Sequence, residues 1–120
     1  MPETAEEKKF RIQQGVVKRL IKEHSCYIED AKKGEQEISV MKNTPDHDEY
    51  MLKKMGERVE ESRAMISDAC RRLCVACEDL RQAIDALGRG DDDEQVAAAK
   101  ALIETSRVQV SAGEVASRSL

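Results

Sequence analysis

Cys70, Cys74 and Cys77 share one short stretch, spaced Cys-x3-Cys-x2-Cys, and thiols at that spacing could do two kinds of chemistry. As thiolates they could hold zinc, but a tetrahedral site wants a fourth ligand and usually draws on a turn plus a second element. His24 lies on another segment and falls out of step with Cys70 when the chain is folded into a hairpin. As a redox pair, Cys74 and Cys77 would need a helix N-terminus to lower a thiol pKa, and Cys74 falls in mid-helix. The expectation is neither a metal nor a redox centre, but small apolar side chains packed under a neighbouring helix.

The remaining polar residues offer no catalytic set. His24 falls on an apolar seam, where a partly exposed packing histidine is expected, and His47 lies in a turn with no evident partner. No Ser-His-Asp order, glycine-rich phosphate loop or paired buried carboxylates can be traced, so neither an enzyme nor a cofactor is expected. The cations are more informative. Lys8, Arg11, Lys18 and Lys22 repeat along the outer face of the first helix, with Arg19 beside them. Lys53, Lys54, Arg63 and Arg71 form a second set on the outer face of the next helix. Either set could meet an acidic partner, or could be an ordinary solvated face. Nucleic acid fits poorly, because no aromatic residues interleave for stacking and the net charge is −4. Met41, Met51 and Met55 gather near one turn, as an adaptable apolar surface or as filling for a loose seam.

The elements that must position these residues follow from composition and periodicity. Of 120 residues, 37% are charged and 2% aromatic, with no Trp, which suits long helices with narrow apolar seams rather than a thick core. No opening stretch reads as a signal peptide and no run could span a bilayer. A soluble cytoplasmic protein with reduced thiols at Cys26, Cys70, Cys74 and Cys77 is therefore expected.

A strict 3-4 spacing runs through Phe10, Gln13, Val17, Leu20, His24, Tyr27, Ala31, Gly34, Ile38 and Met41, placing helix one at about 5–42. Pro45 ends that helix, and Asp46 is positioned to cap helix two at about 47–87. Helix two carries Leu52, Met55, Val59, Ser62, Ile66, Ala69, Leu73, Ala76, Leu80, Ala83 and Leu87 at the same spacing. Gly88 and Gly90 close it, and the acidic run Asp91–Glu94 opens helix three at about 92–110, with Val96, Ala99, Ile103, Ser106 and Val110 inward. Residues 111–120 are small and polar and are expected to fray.

Short turns between long helices make antiparallel neighbours. The fold class is then all-α: one domain over 1–120, an elongated antiparallel three-helix bundle with two long helices and a shorter third. The long helices span about 55 Å at ~1.5 Å per residue. The third can cover only the half containing the end of helix two and the start of helix one. On the flank of helix two, Gly56 and Arg63 lie in the uncovered half, and Cys70, Cys77 and Ile84 in the covered half.

Two blocks, Gly15–Glu23 (GVVKRLIKE) and Glu61–Leu73 (ESRAMISDACRRL), resemble the tubulin-binding cofactor A family of tubulin-specific chaperones. Tyr27, Ala31, Tyr50, Lys53 and Lys54 fall in matching places, and the resemblance runs from about Lys8 to Arg107. It implies a monomeric, rod-like, cytoplasmic chaperone of the tubulin and microtubule cytoskeleton. Such a protein would capture β-tubulin after its release from the chaperonin and store it on the way to the αβ heterodimer. Its partners would be β-tubulin and other tubulin-folding cofactors, with no nucleic acid, membrane, nucleotide or metal. Where the family pattern has a proline after the Met-Ile pair of helix two, this chain has Ser67, so a bend there does not carry over. The competing class is a structural or adaptor bundle that self-associates through the same seams.

Overall fold

The computed structural model describes residues 2–118, with side chains through Glu114. Three helices account for nearly all of it: α1 (Ala5–Lys42), α2 (Glu49–Leu87) and α3 (Glu94–Arg118). Their boundaries are set by side chains that satisfy the orphan amides of each first turn. Thr4 and Glu7 form a reciprocal capping box on α1, with bonds of 3.0 and 3.1 Å. Asp93 accepts from the amides of Gln95 and Val96 at the start of α3. Gly88 ends α2 at φ 66°, a left-handed conformation that a side chain would resist.

The cap of α2 differs from the expected one. Asp48, not Asp46, accepts from Tyr50 and Met51, so α2 begins at Glu49. Asp46 sits in the turn at φ 55°, a conformation that Asp tolerates better than most residues. His47 is also not partnerless. Its ring lies 3.1 Å from the Thr44 carbonyl and 2.8 Å from Glu49 Oε1, which holds the turn open for two more residues.

The bundle is a rod of 68 × 22 × 19 Å. α1 and α2 run antiparallel along its whole length. α3 lies across both over the half near the α2–α3 turn, here called the base, and, at 25 residues rather than the expected half-length, continues past the midpoint, where Gly113 meets His24 and Ile66. The main core is in that half: Phe10, Val17 and Leu20 of α1; Leu73, Ala76, Cys77, Leu80, Ala83 and Ile84 of α2; Val96, Ala99 and Ile103 of α3. Val16 and Ile21 pack on its shoulders. Each fully buried Leu or Ile contributes about 1.5–3 kcal/mol, so hydrophobic stabilisation is concentrated where three helices meet. Towards the α1–α2 turn, the tip, the buried set thins to Ile28, Ala31 and Ile66, then Val59.

Three further differences concern α3 and what it covers. α3 does not end near Val110 but continues as helix to Arg118, and residues 119–120 of the expected tail lie outside the described residues. His24 is fully buried rather than partly exposed. Its Nδ1 lies 3.1 Å from the amide nitrogen of Gln109, which also donates to the Ile21 carbonyl at 2.6 Å. Gly113 then presses its backbone onto the ring, so a glycine that looked like part of a tail is what lets α3 approach α1 this closely. Of the cysteines, Cys77 is buried and Cys70 half-buried, but Cys74 points outward and is exposed, as is Cys26.

Candidate partner-binding surface

α1 is one unbroken helix, so residues three and four apart share a face, and Lys8, Arg11, Lys18 and Lys22 stand in one outward row. All four are exposed, as is Arg19 beside them. They are not equally free. Arg11 grips Glu3 through two bonds of 2.9 and 3.1 Å; this contact holds the Glu3 carboxyl below its usual range and the guanidinium above its own. Arg19 reaches Glu23 only at 3.9 Å. Lys8, Lys18 and Lys22 have no ion-pair partner among the described residues. The row therefore keeps its charge available, which an internally neutralised face would not.

The second set is dispersed. Lys53 is exposed near the tip. Lys54 lies over the Tyr50 ring at 5.4 Å and pairs with Glu57 at 3.4 Å. Arg71 and Arg72 share the Asp68 carboxylate, at 3.0 and 2.9 Å, and hold it below its ordinary pKa. Arg63 does not belong to an outer face at all. Its side chain is 17% exposed, and it bridges to Glu35 of α1 at 2.8 Å and to Glu60 at 2.7 Å. The flank position of Arg63 turns it toward α1, tipward of Ile66, where Gly113 of α3 meets α2, and there it ties α2 to α1 through Glu35.

Cys70 is a poor nucleophile or ligand in this setting. Burial, and then the neighbouring Cys74, push the Cys70 thiol up, away from the thiolate that metal binding or attack requires. Among the described residues, no group of three His, Cys, Asp or Glu lies close enough to hold a metal ion. None of their helices is long and apolar enough to cross a membrane.

Large apolar side chains remain on the surface: Ile12, Val40, Tyr50, Met51, Met65, Val75 and Val108. Sequence periodicity missed Ile12 and Val75, which lie off the seams and are visible only once the helices are placed side by side. Together with the cations, they make a mixed apolar and basic exterior.

A family model described as tubulin binding cofactor A matches residues 5–103. Tubulin-specific chaperone A of Oryctolagus cuniculus is 35% identical over 102 residues, covering 85% of this chain and 94% of that protein. The protein of the same name from Gallus gallus is 36% identical over the same shares. Among solved structures, human tubulin chaperone cofactor A superposes with a TM-score of 0.68 at 33% identity, covering 83% of this chain and 96% of that one. The crystal structure of tubulin folding cofactor A from Arabidopsis thaliana gives 0.65 at 25% identity, covering 89% and 94%. Sequence and fold agree along nearly the same span, and the chain belongs to the tubulin-binding cofactor A family.

Proposed function

We propose that the protein is a tubulin-folding chaperone that takes up β-tubulin after chaperonin release. It holds the subunit in reserve on the route to the αβ heterodimer, acting as a cytoplasmic monomer without nucleotide, metal or covalent chemistry. Family membership supports the tubulin role. The observation that carries the mode of capture is the unpaired outward row of Lys8, Lys18 and Lys22 on a bundle whose seams are already filled. A rod with occupied seams meets its client by its outer faces, and an acidic client such as tubulin favours the cationic one. Exposed charges act mainly on encounter rate and salt dependence.

The test is capture of β-tubulin from cytosol, with the bound protein identified, by wild type and by the triple reversal Lys18→Glu, Arg19→Glu, Lys22→Glu. The reversal should weaken capture strongly and flatten its salt dependence while helicity stays unchanged, because these side chains form no part of the core. Wild-type-like capture at low salt would reduce the row to a solvated face. A stable dimer in sedimentation would favour a self-associating adaptor instead.

A further inference from the structure

The α1–α2 layer has two faces, and α3 occupies one of them. On the opposite face, at the level of the main core, a groove of about 420 Å³ runs between the helices. Among the described residues its lining comes from α1 and α2 alone, with Val16, Leu20, Val75 and Ala76 along it and Arg19 and Arg72 at its rim. Val75 is 63% exposed. Ile12, one turn before Val16 on the same face, is 48% exposed. Two large β-branched side chains thus stand in water on either side of a groove floored by core residues.

Charge is distributed unevenly around it. At the end nearer the tip, the lining residues Arg19, Arg71 and Arg72 stand against Asp68; with Asp79 counted, the whole lining carries 3 − 2 = +1 in a chain whose net charge is −4. One carboxylate, Asp68, serves both Arg71 and Arg72. Asp79 lines the groove nearer the base. An occupant is therefore selected for an apolar stripe along its middle and carboxylates at the tipward end.

We propose that this groove seats an acidic amphipathic helix of the partner, laid across α1 and α2 opposite α3. A helix fits better than an extended segment, because the groove between two packed helices is the surface that a further helix's ridges fill. Its apolar stripe covers Ile12, Val16 and Val75, and its carboxylates meet Arg19 and the shared Arg71–Arg72 pair. The inference rests on the tubulin reading only for which protein supplies the helix.

Two measurements test it on the full chain. In the first, an amphipathic peptide of about 18 residues, with Leu on one stripe and Glu elsewhere, long enough for about 27 Å of helix, is titrated into isotope-labelled protein. Amide shifts should concentrate at Ile12, Val16, Arg19, Arg72 and Val75. Shifts centred on Val108 of α3, or none, would overturn the proposal. In the second, tubulin capture by Ile12→Glu/Val75→Glu is compared with Val108→Glu, all three sites being exposed so that the fold persists. The groove variant should lose about tenfold or more in affinity, and the α3 variant little. Equal capture by both would overturn the groove and leave the tubulin reading standing. If wild type captures no tubulin, that reading falls and the peptide titration alone decides the groove. A dimer abolished by the groove variant would assign the groove to a second copy of the chain and overturn the acidic helix.

Discussion

Gly113 of α3 lies so close to His24 of α1 that a Cβ built on it would fall 2.5 Å from both Cε1 and Nε2 of the ring. The imidazole is 0% exposed and cannot swing aside. It is held at Nδ1 by Gln109, and since an amide nitrogen only donates, Nδ1 must be the unprotonated nitrogen and Nε2 must carry the proton. Nε2 has no hydrogen-bond partner among the described residues. The last turns of α3 are thus seated on a neutral histidine.

Gly113→Ala should destabilise the protein even though Ala is the better helix former by ~1 kcal/mol. Overpacking a closed site costs about 1–3 kcal/mol, so a net loss of up to ~2 kcal/mol is expected. The urea midpoint and amide exchange beyond Ser106 measure it. Adding His24→Ala should restore part of the loss, a coupling characteristic of residues in contact. A more stable Gly113→Ala protein would mean that α3 does not dock here.

Stability should fall in mild acid because of His24. Burial lowers its folded pKa from the usual 6.5. Between that value and the lower folded one, the unfolded chain binds more protons, so stability is complete above about pH 6.5 and declines as pH drops. His47 runs the other way: the Thr44 carbonyl, then Glu49, raise its pKa, so its contribution is present below 6.5 and fades as pH rises through the raised value. Denaturant midpoints for wild type and His24→Leu between pH 5 and 8 separate the two. The difference between the proteins should narrow toward acid, and a constant difference would exclude His24 as the source.

Alkylation should divide the thiols by position. Cys26 and Cys74 are exposed and should react first, Cys70 more slowly, and Cys77 last. Mass spectrometry over a time course reads the order, and a Cys77 as quick as Cys74 would contradict the packing. Cys77→Ser places a hydroxyl in the core and should cost about 1 kcal/mol or more.

Arg63→Met should destabilise the part of the rod on the tip side of Ile66. The Arg63–Glu35 pair is mostly shielded, at 17% and 23% side-chain exposure. Its loss should therefore lie between the ~0.2–1 kcal/mol of exposed pairs and the ~3–5 kcal/mol of fully buried ones. Thermal unfolding gives the value. Exchange should quicken around residues 32–38 and 60–66, and an effect confined to the base would refute the tether.

The seams were legible because spacing alone defines them: Val17, Leu20, Leu73 and Leu80 are buried where a 3-4 repeat puts them. Ile28 was not foreseen and Tyr27 is only partly buried, because a straight α-helix drifts by about 20° per heptad relative to a 3.5 repeat. Over a helix of 38 residues, that drift moves the buried line from one column to the next. The end of α3 was illegible for a different reason. Ser111, Ala112 and Gly113 have the composition of a loose terminus, and only the His24 ring that Gly113 meets on α1 gives that glycine's smallness a purpose. Arg63 was misplaced because a long cationic side chain reads as solvated until its counter-charge, Glu35, is placed beside it. The basic row on α1 was visible in the spacing, whereas the groove flanked by Ile12 and Val75 depends on two helices at once.

Because α3 covers only part of the hairpin, the rod is unequal along its length. In the base, opening any helix exposes a core shared by three. Toward the tip it parts only two helices, which meet at Val59 and at Gly34, where a Cβ would fall 2.7 Å from the Val59 side chain. Local opening should then require little free energy at the turn and more with each step toward the base. The turn should therefore exchange its amide protons sooner than the base, which gives the molecule a compliant end and a rigid end without a hinge between them.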